Sequence, residues 1–157
     1  MKTLVVYDSR FGNTKKLADA IGAQLQVQGS ALVISVESAT PQEVGSADLL
    51  VIGGPTQAHG MSPAMRTFMP TFSRASSGGA VAATFDTRLS GPMILTGSAA
   101  RSIAGKLRKA GVRLVGEPAS FLVKGSEPAL VAGELERAEA WAAGLPAQVP
   151  AVQHRAA

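Results

Sequence analysis

Residues 3–14, Thr-Leu-Val-Val-Tyr-Asp-Ser-Arg-Phe-Gly-Asn-Thr, decide the fold. Thr3 to Tyr7 is a short apolar run rich in β-branched residues, the pattern of a strand buried on both faces. Loop-forming residues follow from Asp8 to Asn13, and then Leu17, Ile21 and Leu25 recur every four residues, which predicts an amphipathic helix. A strand running through a polar turn into a helix is the first part of a βαβ unit, whose second strand lies parallel to the first.

The pattern continues along the chain. Ala31–Val36 and Asp48–Gly53 read as the second and third strands, and Gly79–Phe85 as the fourth. Between the third and fourth, Gly54–Pro63 is too rich in Gly and Pro for a regular element. Ser62 and Pro63 then suit the cap and first residue of a helix that carries Met65, Phe68, Met69 and Phe72 on its core face. Pro70 is expected to end or kink that helix. Asp86–Gly97 reads as a long loop, and Ile103 and Leu107 mark a helix closed by Gly111. Val112–Val115 and Ser120–Val123 form a last strand interrupted near Pro118. A final helix falls within residues 130–144, with Glu134, Glu136, Arg137 and Glu139 on a solvated face. Five strands alternating with helices predict one α/β domain over residues 1–145, with a parallel sheet and helices on both faces. Residues 146–157 are expected as a loose tail.

The 157 residues amount to about one domain, and with 46% hydrophobic and 17% charged residues the chain is no candidate for disorder. Its lack of cysteine removes disulfides, thiolate metal sites, iron–sulfur clusters and thiol catalysis. Two histidines, His59 and His154, are too few for a histidine-based metal site. No run approaches ~18 apolar residues, so no membrane association is expected. The N-terminal run stops at Tyr7-Asp8 without a small-residue cleavage site, and the expected location is cytoplasmic. The net charge of +4 leaves acidic partners open. Arg101, Lys106, Arg108, Lys109 and Arg113 cluster without the interleaved aromatics of a nucleic-acid surface, so nucleic acid is not an expected partner.

Ligands of an open parallel sheet bind beyond the carboxyl ends of its strands. At the first such end, Ser9-Arg-Phe-Gly-Asn-Thr14 sits before a helix whose N-terminus offers unpaired N–H groups and the positive end of its dipole. The hydroxyls of Ser9 and Thr14, the amide of Asn13 and the turn at Gly12 suit a phosphate there. The same residues also read as a plain turn with Thr14 as helix cap. The loop is neither GxxxxGK[ST] nor GxGxxG, which disfavours nucleotide hydrolysis and a standard dinucleotide fold. No phosphoacceptor Asp ends the third strand, where Gly53-Gly54 stands, and no G-x-S-x-G elbow occurs.

Val6-Tyr-Asp-Ser-Arg-Phe-Gly-Asn-Thr14 resembles the phosphate loop of flavodoxins, a hydroxyl residue followed by two variable positions and Gly-Asn-Thr. Gly53 to Phe68 is similar to the isoalloxazine-binding loop of that superfamily, especially in flavodoxin-like quinone reductases. The resemblance covers residues 1–145. It implies a flavodoxin-like three-layer fold with five parallel strands in the order 2-1-3-4-5, and FMN as cofactor. By that resemblance Ser9, Gly12, Asn13 and Thr14 hold the phosphate, with backbone N–H groups from Arg10 and Phe11. Pro55, Thr56, Gln57, Ala58, His59 and Gly60 border the flavin ring, and Asp86, Thr87, Arg88 and Leu89 form a second flavin loop.

The aromatic sandwich common in flavodoxins is missing. Tyr7, Trp141 and Phe85 read as packing residues, leaving His59, Met61, Arg88 or Leu89 to meet the flavin faces. Three functions follow: an electron-transfer flavoprotein, an FMN-dependent NAD(P)H:quinone oxidoreductase, or a module that has lost FMN and binds a protein. The expected partner is a redox protein or a small quinone-like acceptor, acidic or anionic in character. Arg88 and Arg10 near the ring, opposed only by Asp86 and Asp8, imply a less negative potential than that of an acidic flavodoxin.

Overall fold

In the computed structural model, which describes residues 1–75 and 79–151 apart from the side chains of residues 73 and 75, the strands follow the expected order with two additions. The main strands are β1 (Lys2–Tyr7), β2 (Ser30–Ser35), β3 (Leu49–Pro55) and β4 (Val81–Leu89). The last expected strand is two pieces, β5 (Arg113–Leu114) and β6 (Ala119–Lys124), which pair in parallel with the start and the end of β4. A short β7 (Ala129–Leu130) adds an antiparallel edge to β6. The sheet order is β2-β1-β3-β4-β6-β7, so the predicted 2-1-3-4-5 order holds with the split fifth strand counted as one.

Alternation along the strands explains the two cores. Leu4, Val6, Leu50, Ile52 and Ala82 face α2 (Pro41–Ser46), α3 (Pro63–Ala75) and α5 (Ala99–Lys109), and pack with Val44, Met65, Phe72, Ile103 and Leu107. Val5, Leu49, Val51, Val81, Ala83 and Phe85 face α1 (Asn13–Gln26) and α6 (Glu134–Ala143), and pack with Leu17, Ile21, Leu25 and Ala138. Trp141 lies 6.2 Å from both Phe85 and Phe121, so the only Trp is a packing residue, as its helical position implied. Gly53 serves this core. A Cβ there would fall 2.2 Å from the Phe85 ring, so the glycine makes room for the aromatic on the neighbouring strand.

Several boundaries differ from the expectation. The helix α3 runs through Pro70, because the exposed proline loses one backbone bond while Met65, Met69 and Phe72 stay buried beneath it. The short helix α2 had no visible periodicity; it starts at a capping box in which the Thr40 hydroxyl and the Glu43 N–H and carboxylate satisfy each other. The final helix starts only at Glu134, because residues 129–130 pair as β7. Glu134 is not on a solvated face. Its carboxylate accepts the Leu122 N–H at 2.6 Å and binds Arg137 at 2.7 Å, while the Arg137 guanidinium lies 4.5 Å from the Phe121 ring centre. Residues 146–148, expected as the start of a loose tail, form a 3-10 turn; Gln148 accepts the Gly116 N–H, and Val149 packs on the core. The remainder of that tail, residues 152–157 with His154, lies outside the described residues. Among the described residues no helix is long and apolar enough to cross a membrane.

Two expected outcomes follow. Replacing Gly53→Ala forces the Phe85 ring out of place and lowers stability by about 1–3 kcal/mol; Phe85→Leu in the same chain recovers part of the loss in urea unfolding. Hydrogen bonding to Arg137 holds the Glu134 carboxyl below its ordinary value of 4.5, so its stabilisation is full above that pH and is lost as the pH falls through the depressed value. Glu134→Gln therefore costs about 1 kcal/mol at neutral pH, and the difference from the parent chain shrinks as unfolding is measured at progressively more acidic pH.

Candidate functional site

The carboxyl ends of β1, β3 and β4 open into one cleft of about 190 Å³. That is below the roughly 300–1,000 Å³ of pockets that enclose most of a small ligand, so a ligand here keeps one edge in solvent. Arg10, Phe11, Asn13 and Thr14 line it from the first loop, Pro55, Thr56 and Gln57 from the end of β3, and Thr87, Arg88 and Leu89 from the end of β4. Val123 and Pro128 complete it from β6 and the turn that follows. Those two carry no chemical signal in the sequence; only the β6–β7 hairpin brings them there.

The first loop is built to receive an anion. Gly12, in the left-handed region, caps α1 without a side-chain bond. The Ser9 hydroxyl accepts the Gly12 N–H at 3.1 Å and the Lys15 N–H at 3.4 Å, leaving its own O–H free to donate. The N–H groups of Arg10, Phe11, Asn13 and Thr14 have no protein acceptor among the described residues. Four donors without protein acceptors at a helix N-terminus suit an anion such as a phosphate. The side chains are more committed than expected. The Asn13 amide donates to the Pro128 carbonyl at 2.7 Å, which ties the loop to the β6–β7 turn. The buried Thr14 hydroxyl lies 3.0 Å from that of Thr87 and ties α1 to β4. Thr14 is therefore not the helix cap.

The second loop is a tight hairpin. Gln57 and Gly60 exchange both backbone hydrogen bonds, at 2.9 and 3.0 Å, around Ala58 and His59 at φ 46° and 69°. This is a primed turn made without glycine at its centre, with strain of order 1–3 kcal/mol per residue. It is pinned by a bridge from His59 to Gly97, where a Cβ would fall 2.3 Å from the His59 carbonyl oxygen. His59 is exposed on the turn, and neither it nor Ala58 nor Gly60 lines the cleft; Met61 is buried in the core. The Ser62 hydroxyl, which caps α3 through the Met65 N–H, donates to the Asp8 carboxylate.

The expected third loop is a strand. β4 extends to Leu89, and alternation sends Asp86 and Thr87 to opposite faces. Thr87 meets Thr14 at the cleft, whereas Asp86 is fully buried beneath α5 and does not line it. Its Oδ2 accepts the Ser98 hydroxyl at 2.6 Å and the Ala100 N–H at 2.9 Å, and its Oδ1 lacks a hydrogen bond of good geometry. Burial pushes this carboxyl up from its ordinary value, and the bonds from Ser98 and Ala100 oppose the rise. Arg88 borders the cleft, but its guanidinium is spent on the Gly91 carbonyl at 2.8 Å and the Thr96 hydroxyl at 3.3 Å. It braces the loop that carries α4 (Met93–Thr96), a helix absent from the expectation. Of the residues expected to face a flat ligand, Arg88 and Leu89 line the cleft, and His59 and Met61 do not. Phe11 joins Arg88 and Leu89 there, because its ring lines the cleft, with the Arg10 guanidinium 5.2 Å from the ring centre. The mouth is apolar, with Phe11 61% and Leu89 55% exposed, and α4 carries two more exposed apolar residues, Ile94 and Leu95.

The sequence and the fold both have clear relatives. A flavodoxin from Aquifex aeolicus (strain VF5) is 40% identical over 70 residues, which are 43% of this chain and 37% of that protein's length. A flavodoxin structure from the domain Archaea superposes with a TM-score of 0.76 at 24% identity, covering 95% of this chain and 99% of the other. The rubredoxin oxygen:oxidoreductase of Desulfovibrio gigas superposes with a TM-score of 0.75 at 16% identity, covering 96% of this chain and 37% of that one. The flavodoxin family profile matches residues 5–141, nearly the whole described sheet and its helices, and the chain belongs to that family.

Proposed function

We propose that the chain binds FMN in this cleft and carries electrons to or from a partner protein. The observation that supports this most directly is the cradle of free N–H groups at residues 10, 11, 13 and 14 opening into a partly apolar cleft. Its donor set suits a phosphate dianion, since helix N-termini favour negative charge without needing a cationic side chain. The walls suit a flat ring, with Phe11 and Leu89 at the mouth and Pro55, Thr56 and Gln57 along one side. When bound, FMN supplies the reversible redox chemistry, and the protein supplies orientation and electrostatics.

The protein residues divide that work. The first loop anchors the phosphate, and the Thr14–Thr87 bond keeps the anchor in register with β4. The strained turn at Gln57–Gly60 and the brace from Arg88 hold the two loops that border the ring. Arg88 keeps its charge while its guanidinium donates to loop oxygens, and Arg10 is the exposed cation among the residues that line the mouth. The exposed apolar rim favours a carrier that docks on a protein surface over an oxidoreductase acting on a small quinone. The basic charge calls for an acidic partner.

Spectral titration of the purified chain with FMN and with riboflavin tests the cofactor. FMN binds more tightly than riboflavin, and Ser9→Ala weakens FMN about tenfold, the worth of roughly one hydrogen bond to a charged group, while leaving riboflavin within twofold. Equal losses for both flavins would show that the first loop does not hold the phosphate. The sign of charge at the mouth is checked by stopped-flow oxidation of the reduced protein. Ferricyanide reacts more slowly, and hexaamminecobalt(III) faster, as the ionic strength rises. NAD(P)H-driven quinone turnover by the isolated chain would favour the oxidoreductase instead.

A further inference from the structure

The first turn of α5 is held by an unusual number of separate elements. Its Ala99 N–H goes to the Thr56 hydroxyl at 3.0 Å, its Ala100 N–H to Asp86, and its Arg101 N–H to the capping Ser98 hydroxyl at 3.2 Å. These acceptors come from the end of β3, from β4 and from the cap itself. Ser98 alone is a sufficient helix cap, worth about 1 kcal/mol. A fully buried carboxyl is a costly addition to it, because burial opposes the charge and Oδ1 gains no good partner. What the carboxyl adds is a second tie, since one oxygen accepts from both Ser98 and the Ala100 N–H and so fastens the helix start to β4. That tie reaches the cleft by two routes. One is Thr56, which lines the cleft and accepts from the helix. The other is Gly97, next to Ser98, whose bridge pins the strained turn at His59.

We infer that Asp86 is a positioning residue for the ring-binding loop: through Ser98 and Ala100 it fixes the start of α5, and through that helix it fixes Thr56 and the turn at residues 57–60. This rests on the flavin reading of the cleft for its effect on binding, but the mechanical link can be measured without any ligand. Strain at the Ala58–His59 turn persists only where surrounding contacts over-determine it, and the carboxyl is the buried anchor of those contacts. The first loop has its own ties, from Asn13 to the Pro128 carbonyl and from Thr14 to Thr87.

The test compares Asp86→Ala, Asp86→Asn and Ser98→Ala with the parent chain. In ligand-free protein, amide hydrogen exchange at Gln57 and Gly60 speeds up tenfold or more in Asp86→Ala, while amides in the middle of α1 are unchanged. FMN and riboflavin then lose affinity by the same factor, about tenfold or more, because the phosphate loop is untouched, and the visible circular dichroism of the bound flavin changes. Asp86→Asn keeps an acceptor at the same place and restores most of both. If Asp86→Ala does not fold, Ser98→Ala, which removes the bond to Asp86 and the cap on the Arg101 N–H but leaves the carboxyl on the Ala100 N–H, shows the same changes at smaller size. Unchanged exchange at Gln57 and Gly60 in every folded variant would overturn the inference, as would a loss confined to FMN. A parent chain that binds neither flavin would refute the proposed function, and the exchange data would still decide the clamp.

Discussion

Side-chain alternation along β4 is the constraint on which the cleft depends. Because β4 is paired on both sides up to Thr87, and with β6 alone to Leu89, residues 85–87 cannot rotate to suit a ligand. Phe85 is committed to the α1–α6 face, where it fills the space left by Gly53 and meets Phe121 and Trp141. Asp86 is committed to α5 and Thr87 to α1. Three consecutive residues thus serve the core, the helix clamp and the cleft, and a one-residue slip would exchange all three roles at once. The geometry of the mouth follows from this strand more than from the loops that decorate it.

The same alternation shows why part of the site was legible in the sequence and part was not. The run from Thr3 to Thr14 carries its own structure, since strand, turn and helix start are all local, and its residues stand where their pattern implied. The Phe85–Asp86 boundary misled because a charged residue after an apolar run looks like the end of a strand. In a buried sheet an acid can continue the strand when helix N–H groups receive it, and the groups that do so here lie at residues 98 and 100. Extending the alternation of Ala82 and Thr84 by one step points to α5, so the signal existed, but it required knowing that a helix N-terminus lay opposite. Arg88 is a similar case. It lines the cleft at the end of the fourth strand, whereas its commitment to the Gly91 and Thr96 oxygens depends on a loop path with no periodicity to read.

The missing aromatic sandwich has a physical counterpart in the structure. Aromatic partners offer apolar area and stacking beyond area burial. Here the apolar area comes from smaller and scattered groups, Leu89, Pro55, Val123 and Pro128, with Phe11 as the aromatic ring at the mouth. A turn whose backbone is strained and doubly hydrogen-bonded compensates differently: it loses little conformational entropy when a ligand binds, because the loop is already fixed. Preorganisation thereby takes over part of the role that stacking plays elsewhere.

Charge enters this arrangement late and at the edge. The free N–H groups of the first loop are backbone dipoles, the Arg88 guanidinium donates to uncharged loop oxygens, and the buried acid faces away from the cleft. The net +4 therefore bears little on how tightly a flavin is held. The exposed Arg10 stands instead beside the exposed apolar residues Phe11 and Leu89 at the mouth, where an approaching surface meets it before it reaches the cleft. Charges so placed act on encounter, since rim groups mainly change association rates and salt dependence. A docked partner that dehydrates the rim would also raise the effect of Arg10 on a reduced, anionic ring, because charges interact more strongly as the local dielectric falls. On the proposed reading, partner docking and redox potential would be coupled through the same arginine.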